Sequence, residues 1–391
     1  MMKKSIRDID PTHMKVLVRA DFNVPLDQGK VSDDTRIRMT LPTIRHLLDH
    51  KARVVCCSHL GRPKGKEDEA LRLTPVADRL SDLLGTPVKK VNDCVGPEVE
   101  QAMEALKPGE VLLLENLRFH PEEKANDQGF AQKLAGLAEL YVNDAFAAAH
   151  RAHASTEGVA HHLPAVAGLL MEQEIKALKR VLDNPRKPFV VILGGAKISD
   201  KIGAIERFLE MGDSILIGGG MANTLLKAKG FEIGQSLVED ESLDQAGSLL
   251  EKAGEKMLLP DHLVVADAFD PQARRKTVSV GEVPPDWRIM DIGPKTVRRF
   301  TEKLDTAKTV IWNGPLGVTE MSDFAEGTNQ IARVVARLDA MTVVGGGDSV
   351  AAVNQAGVAD RVTHVSTGGG AFLNFMEDKT LPGVAVLNEK E

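Results

Sequence analysis

Short β-branched apolar runs alternate with longer amphipathic stretches along the whole chain. In the first half the runs are KVLVRADFNV (15–24), RVVCCSH (53–59), PVKKVND (87–93), EVLLLEN (110–116), LYVND (140–144) and AVAGLL (165–170). In the second half they are FVVILGG (189–195), SILIGGG (214–220), HLVVAD (262–267), KTVIWNG (308–314), TVVGGG (342–347) and THVST (363–367). Runs this continuously apolar, spaced by helix-length segments, predict parallel strands covered on both faces. The expected fold class is α/β, with two doubly wound, Rossmann-like parallel-sheet domains. Between the halves lies EQEIKALKRVLDNPRKPF (172–189), where Ile175, Leu178, Val181 and Leu182 recur at helical spacing before Asn184, Pro185 and Pro188 break the pattern. Such a segment reads as a hinge helix joining two domains, or as an ordinary crossover helix within one sheet. The two halves share architecture without a clear internal repeat.

Composition narrows the classes. At 391 residues each of two or three domains can bury a core of its own. Forty-nine basic residues stand against 56 acidic ones, a formal charge of −7, and no block of like charge suggests a nucleic-acid or membrane surface. Aromatics make up only 4 %, leaving few platforms on which single-stranded bases could stack. No run is apolar long enough to span a bilayer, and the start MMKKSIRDIDPTHMKVLVRA lacks the apolar core of a secretion signal. Cys56, Cys57 and Cys94 make neither a disulfide framework nor a metal-spaced set. A soluble protein of a reducing compartment, most simply the cytoplasm, is expected.

Ligands of open α/β sheets bind beyond the C-terminal ends of the strands, so the residues delivered there carry the chemistry. The first half delivers polar and cationic groups: Arg19, Asp21 and Asn23, then His59 and Arg62, Arg118, and Arg151 between His150 and His153, with Arg36 following in SDDTRIRM. Guanidinium forks suit phosphate and carboxylate; surface ion pairs are the alternative reading. The second half delivers glycines instead, in LGGAKISDK, IGGGMANT, WNGPLGVTE, GGGDS and STGGGAF. Glycine allows close backbone approach to flat rings and polyphosphates, and five such strand ends imply a nucleotide cleft. Lys197 and Lys201 fall four apart around the expected start of the helix ISDKIGAIERFLEM, which would put both on one side of it. In GGGDS two roles stand open. Asp348 or Ser349 caps the following helix, or the glycine amides cradle a phosphate while Asp348 faces its metal. No phosphate-loop lysine motif, no dinucleotide fingerprint and no nucleophile elbow occurs, and His150 with His153 lacks the partners of a zinc site.

Taken together, VRADFNVPL, SHLGRP, ENLRFHPEEKAND, HRAHAST, GGAKISDK, GGGMANT, VIWNGPLGV, GGGDS and STGGGA, in this order and spacing, resemble the phosphoglycerate kinase family from about residue 15 to 382. The resemblance implies a phosphoglycerate-binding domain over 1–171, an interdomain helix and hinge over 172–188, and a nucleotide-binding domain over 189–376. It further implies that 377–391 packs back onto the first domain. It implies Mg²⁺-dependent, reversible phosphoryl transfer between ATP and 3-phosphoglycerate, giving ADP and 1,3-bisphosphoglycerate, by a monomer. Carried over by position, Asp21, Phe22, Asn23, Arg36, His59, Leu60, Gly61, Arg62, Arg118 and Arg151 form the phosphoglycerate site. Lys201, Gly219, Glu320, Gly346, Gly347, Asp348 and Ser349 form the nucleotide site, with Asp348 directed at Mg²⁺. Arg36, Lys197 and Lys201 act on the phosphoryl group in transit. Departures are small. Ile198 and Ser349 stand where valine and threonine are commoner, and AFLNFMEDK has Asn374 and Asp378 where the family more often shows glutamate and glycine.

Overall fold

The computed structural model describes residues 2–390. The chain divides into two compact units. One runs to Lys176 and takes back the chain from Lys379 onward; the other is Ala177–Asp378. The boundary falls inside the helix Leu169–Leu182, ahead of the Asn184–Pro188 break. Among the described residues no helix is long and apolar enough to cross a membrane.

Each unit is built on a six-stranded sheet in which every neighbouring pair is parallel. In the first the spatial order is Val88–Lys90, Val111–Leu113, Arg53–Cys57, Lys15–Arg19, Leu140–Asn143, Ala165–Ala167. In the second it is Met257–Leu258, Ser214–Ile217, Phe189–Leu193, Thr309–Asn313, Met341–Gly345, His364–Val365. The expectation of two doubly wound α/β domains is met. Central strands such as Phe189–Leu193 and Thr309–Asn313 are buried along their whole length. Both faces are covered, which is why their sequences show no polar alternation. The order reverses between Lys15–Arg19 and Leu140–Asn143 in one sheet, and between Phe189–Leu193 and Thr309–Asn313 in the other. Crevices for ligands open at such reversals.

One expected strand lies elsewhere. His262–Ala266 pairs antiparallel with Arg275–Ser279 and Arg288–Ile292 in a separate three-stranded sheet. Its burial alternates over His262, Leu263 and Val264, as in a strand with one wet face, and its apolar run is too short to show that period in the sequence. The main sheet instead takes Met257–Leu258 at its edge, a two-residue strand with no sequence signature of its own.

The chain after Lys379 belongs to the first unit through specific bonds. Asn143 Nδ2 donates to Gly383 O at 2.9 Å, Ala165 N donates to Asn388 Oδ1 at 2.8 Å, and Lys390 pairs with Asp8. The unusual AFLNFMEDK stretch has a local explanation. Asp378 sits at φ +59°, where glycine is the easy choice and aspartate is among the residues that tolerate the strain. Arg207 donates to the carbonyls of Phe375 and Met376 and lies 3.4 Å from the Asp378 carboxylate, which pins the end of the helix Gly370–Met376.

Candidate active site

In the first unit Arg19, Arg36, Arg118 and Arg151 come close enough to act on one another or on His59. Arg36, one residue into the helix Thr35–Asp49, places Nη1 2.5 Å from Asp21 Oδ2. Asn23 Oδ1 accepts from Gly61 N at 2.8 Å, and Arg118 Nη1 donates to Gly61 O at the same distance, so the loop after Arg53–Cys57 is held from two sides. Phe22 and Leu60 are core side chains. The Phe22 amide bonds Ser58 Oγ, and Leu60 is clasped by the Asn116 side chain. Arg62 and Arg151 are exposed.

The electrostatics are those of a site with an excess of positive charge. Burial and then the charges of Arg19 and Arg151 lower the Arg118 pKa to about 10. Burial, followed by Arg19 and Arg118, holds His153 at about 4 and His59 well below the ordinary imidazole value. Cations that depress one another are short of negative charge, and among the described residues Asp21 and the fully buried Glu123 are the acids that act on Arg118. Sequence reading named Arg19 at its strand end but not its role. It is almost completely buried, and it donates to Ser155 Oγ, to Ala20 O and to His59 Nδ1. A charged residue closing an otherwise apolar strand was the available signal. Glu123 and Ser155 carried none, since both look like surface residues in the sequence.

Tertiary structure also brings Asp93, Cys94 and His120 together, with potential ligand atoms within 4.8 Å of one another. These groups are already partnered: His120 Nε2 with Asp93 Oδ1 at 2.6 Å, and Cys94 Sγ with Glu115 O at 3.0 Å.

In the second unit a cavity of about 530 Å³ opens beside the sheet reversal. Its wall includes Gly195, Gly219, Gly220, Pro315, Gly317, Glu320 and Asp348, with Leu237 and Phe269 as exposed apolar residues at the lining. Most of the glycines here serve the chain itself. A Cβ on Gly219 would stand 2.7 Å from Gly195 O, one on Gly314 2.2 Å from Gly194 O, and one on Gly345 2.6 Å from the Phe372 ring. Gly347 differs, for a Cβ there would meet nothing within 4 Å.

The helix Gly347–Gln355 starts without a side-chain cap. Asp348 lies within its first turn, exposed, and its carboxylate makes no hydrogen bond or ion pair among the described residues. Ser349 is buried and accepts from Gly314 N at 2.5 Å, tying this loop to the neighbouring strand end. The capping alternative is therefore excluded for both residues. The amides of Gly347, Asp348 and Ser349 have no partner within the helix, which is the arrangement that attracts anionic oxygens.

Lys197 and Lys201 do not share a helix. The helix Ile202–Met211 begins one residue after Lys201, and residues 194–201 are loop and turn. Lys197 is exposed. Lys201 is the residue flanking the helix start, and burial lowers its pKa to about 8, against the opposing pull of Asp200, Glu377 and Asp348. Among the described residues its ammonium has no ion-pair partner. Asp291, another residue of the cavity wall, was not anticipated. Burial raises its carboxyl to about 7, although Gly327 N and Ile292 N donate to it at 2.7 and 2.8 Å.

Known proteins resemble the chain over its whole length. The family model described as phosphoglycerate kinase matches residues 6–379. The phosphoglycerate kinase of Moorella thermoacetica is 60 % identical over 393 residues, and that of Roseiflexus sp. 59 % over 394, each alignment covering all of both chains. Solved phosphoglycerate kinase structures superpose closely. The Coxiella burnetii enzyme does so with a TM-score of 0.89 at 41 % identity over 98 % of both chains. The Pyrococcus horikoshii OT3 enzyme gives 0.88 at 33 % identity, over 99 % of this chain and 98 % of its own. With full-length relatives at this identity, and strand-end arginines and glycine loops in the expected order, the chain belongs to the phosphoglycerate kinase family.

Proposed function

We propose that the basic site of the first unit binds 3-phosphoglycerate, that the cavity of the second binds ATP or ADP, and that the chain transfers the phosphoryl group reversibly between them. One observation carries the nucleotide half. Unpaired first-turn amides at Gly347–Ser349 stand beside the unpartnered Asp348 carboxylate, and in the same unit burial disfavours the Lys201 ammonium more than Asp200, Glu377 and Asp348 support it. A partly buried cation whose nearby carboxylates do not offset its burial gains from an anionic ligand. In the reaction a carboxylate oxygen of 3-phosphoglycerate forms a bond to the γ-phosphorus as the bond to the β,γ-bridging oxygen breaks. The carboxylate is already a nucleophile, so no general base is needed. Positioning and charge neutralisation carry the catalysis, with Arg36, Lys197 and Lys201 acting on the transferring group.

The unpartnered Asp348 carboxylate, within the first turn of a helix suited to phosphate, fits a hard divalent cation riding on the nucleotide. Bound Mg²⁺ would neutralise phosphate charge. Glu320 and the glycine walls would hold the nucleoside, and His59, Arg62, Arg118 and Arg151 the phosphoglycerate. The acyl phosphate product must be kept from water. We take the helix Leu169–Leu182 and the break after it as the hinge on which the two ligands are brought to one another. The reading places a monomer in the cytoplasm, where three buried thiols stay reduced.

A coupled assay is expected to show ADP formation from ATP only when both 3-phosphoglycerate and Mg²⁺ are present. ADP formation indifferent to 3-phosphoglycerate would refute the assignment. Asp348→Asn is expected to weaken Mg-ADP binding about tenfold and metal-free ADP binding hardly at all, since a neutral amide is a poor partner for a hard cation. Calorimetry with and without Mg²⁺ separates the two; equal losses in both would remove Asp348 from the metal.

A further inference from the structure

The four residues Glu123, Ser155, Arg19 and His59 form a continuous hydrogen-bonded chain from the interior of the first unit to its basic site. Glu123, wholly buried on the helix Pro121–Ala125, accepts from Ser155 N through Oε2 at 2.9 Å and from Ser155 Oγ through Oε1 at 2.6 Å. Arg19 Nε donates to the same Ser155 Oγ at 2.8 Å. The other end of that guanidinium reaches Ala20 O and, at 3.1 Å, His59 Nδ1.

The direction of every bond is set by chemistry. A guanidinium has donors and no acceptor, so Ser155 Oγ must accept from Arg19 and spend its own proton on Glu123. For the same reason His59 Nδ1 must accept, which leaves its ring proton on Nε2. His59 is held neutral, chiefly by burial and then by Arg19, Arg118 and Arg36. A neutral ring accepting at Nδ1 has one tautomer only, and Nε2 has no partner among the described residues. Arg19 cannot turn to another arrangement without abandoning three acceptors in a buried place, where unpaired donors are costly.

We propose that Glu123, Ser155 and Arg19 are positioning residues that lock His59 in the Nε2–H tautomer, so that the site always offers an anionic ligand oxygen a donor and never a lone pair. The inference rests on the reading of this site as the phosphoglycerate site, and it adds how a neutral histidine is made selective for an acceptor. A free imidazole would present a lone pair to the ligand part of the time, and an anionic oxygen facing it would be repelled.

The test is ¹⁵N spectroscopy of the histidine rings of the full chain without ligand, together with steady-state kinetics. Wild type is expected to show a single Nε2–H tautomer for His59. Ser155→Ala removes the acceptor of Arg19 Nε without adding bulk, and it is expected to give a mixture of tautomers. The KM for 3-phosphoglycerate should rise about tenfold with kcat within roughly twofold, the mark of lost uniform binding. Affinity for ADP should not change. A merely structural role would lower stability and leave tautomer and KM alone. A wild-type Nδ1–H tautomer, or an unchanged tautomer and KM in Ser155→Ala, would overturn the proposal. Should Ser155→Ala fail to fold, Glu123→Gln, which withdraws one of the two acceptors of Ser155, is read by the same spectrum with the same outcomes. The tautomer measurement uses no ligand, so it decides the inference even if 3-phosphoglycerate proved not to be the substrate.

Discussion

Replacing Arg36 by alanine is expected to lower turnover on the order of 10³-fold, the scale of an arginine that neutralises charge on a phosphoryl group in transit. That corresponds to about 4 kcal/mol of barrier. Stability should fall modestly. The Arg36 side chain is 40 % exposed, but Asp21, its ion-pair partner among the described residues, is buried, and a buried carboxylate left without its partner costs about 1–3 kcal/mol. Affinity for 3-phosphoglycerate should fall far less than the rate, because Arg62, Arg118 and Arg151 remain to hold the ground state. Arg36→Lys should recover only part of the loss, since an ammonium lacks the planar fork that spans two oxygens. Steady-state kinetics with thermal unfolding as a control decides the matter. Unchanged turnover with lowered stability would reduce Arg36 to a surface ion-pair residue.

Alanine at Gly194 and at Gly347 should have opposite consequences. Gly194 follows the strand Phe189–Leu193, and its added Cβ would lie 2.0 Å from Pro315 O. The obstacle is backbone, which no rotamer change can move aside. Overpacking of this kind is expected to destabilise the second unit by about 3 kcal/mol, a fall in its unfolding midpoint of roughly 6–12 °C for a unit of this size. Gly347 has open space around the same atom, so Gly347→Ala should leave the midpoint in place. Yet the methyl would stand at the first helical position, where the amides are proposed to receive phosphate. ADP affinity is therefore expected to fall about tenfold. An unchanged ADP affinity in Gly347→Ala would remove the phosphate cradle from this helix.

Much of the architecture was legible because it depends on what each short segment does alone. A run such as FVVILGG has no polar face to offer water, so it must be a strand covered on both sides, and the helical spacing after it supplies the cover. Arginines and glycines at the strand ends then follow from the chain direction that a parallel sheet imposes. HLVVAD escaped this reading because a short apolar run has the same composition whether it joins a parallel sheet or a separate antiparallel one.

The sequence by itself determined the parallel sheets, the cationic ends of one domain, the glycine ends of the other and the family. Only the tertiary structure decided what each group is for. Ser349 resembles a helix cap in sequence and is instead bonded to Gly314, 35 residues away. Gly194, Gly219 and Gly314 are there because two backbones touch and Gly345 because the Phe372 ring lies against it, and only Gly347 among those weighed above faces open space. Lys197 and Lys201 lie in the loop and turn that precede the helix Ile202–Met211, so they do not share its face. The path from Glu123 to His59 runs through Ser155 and Arg19, which are 136 positions apart. Local propensity reaches three or four residues along a chain, whereas hydrogen bonds, burial and shared charge are settled by whichever distant strand or loop folding places alongside.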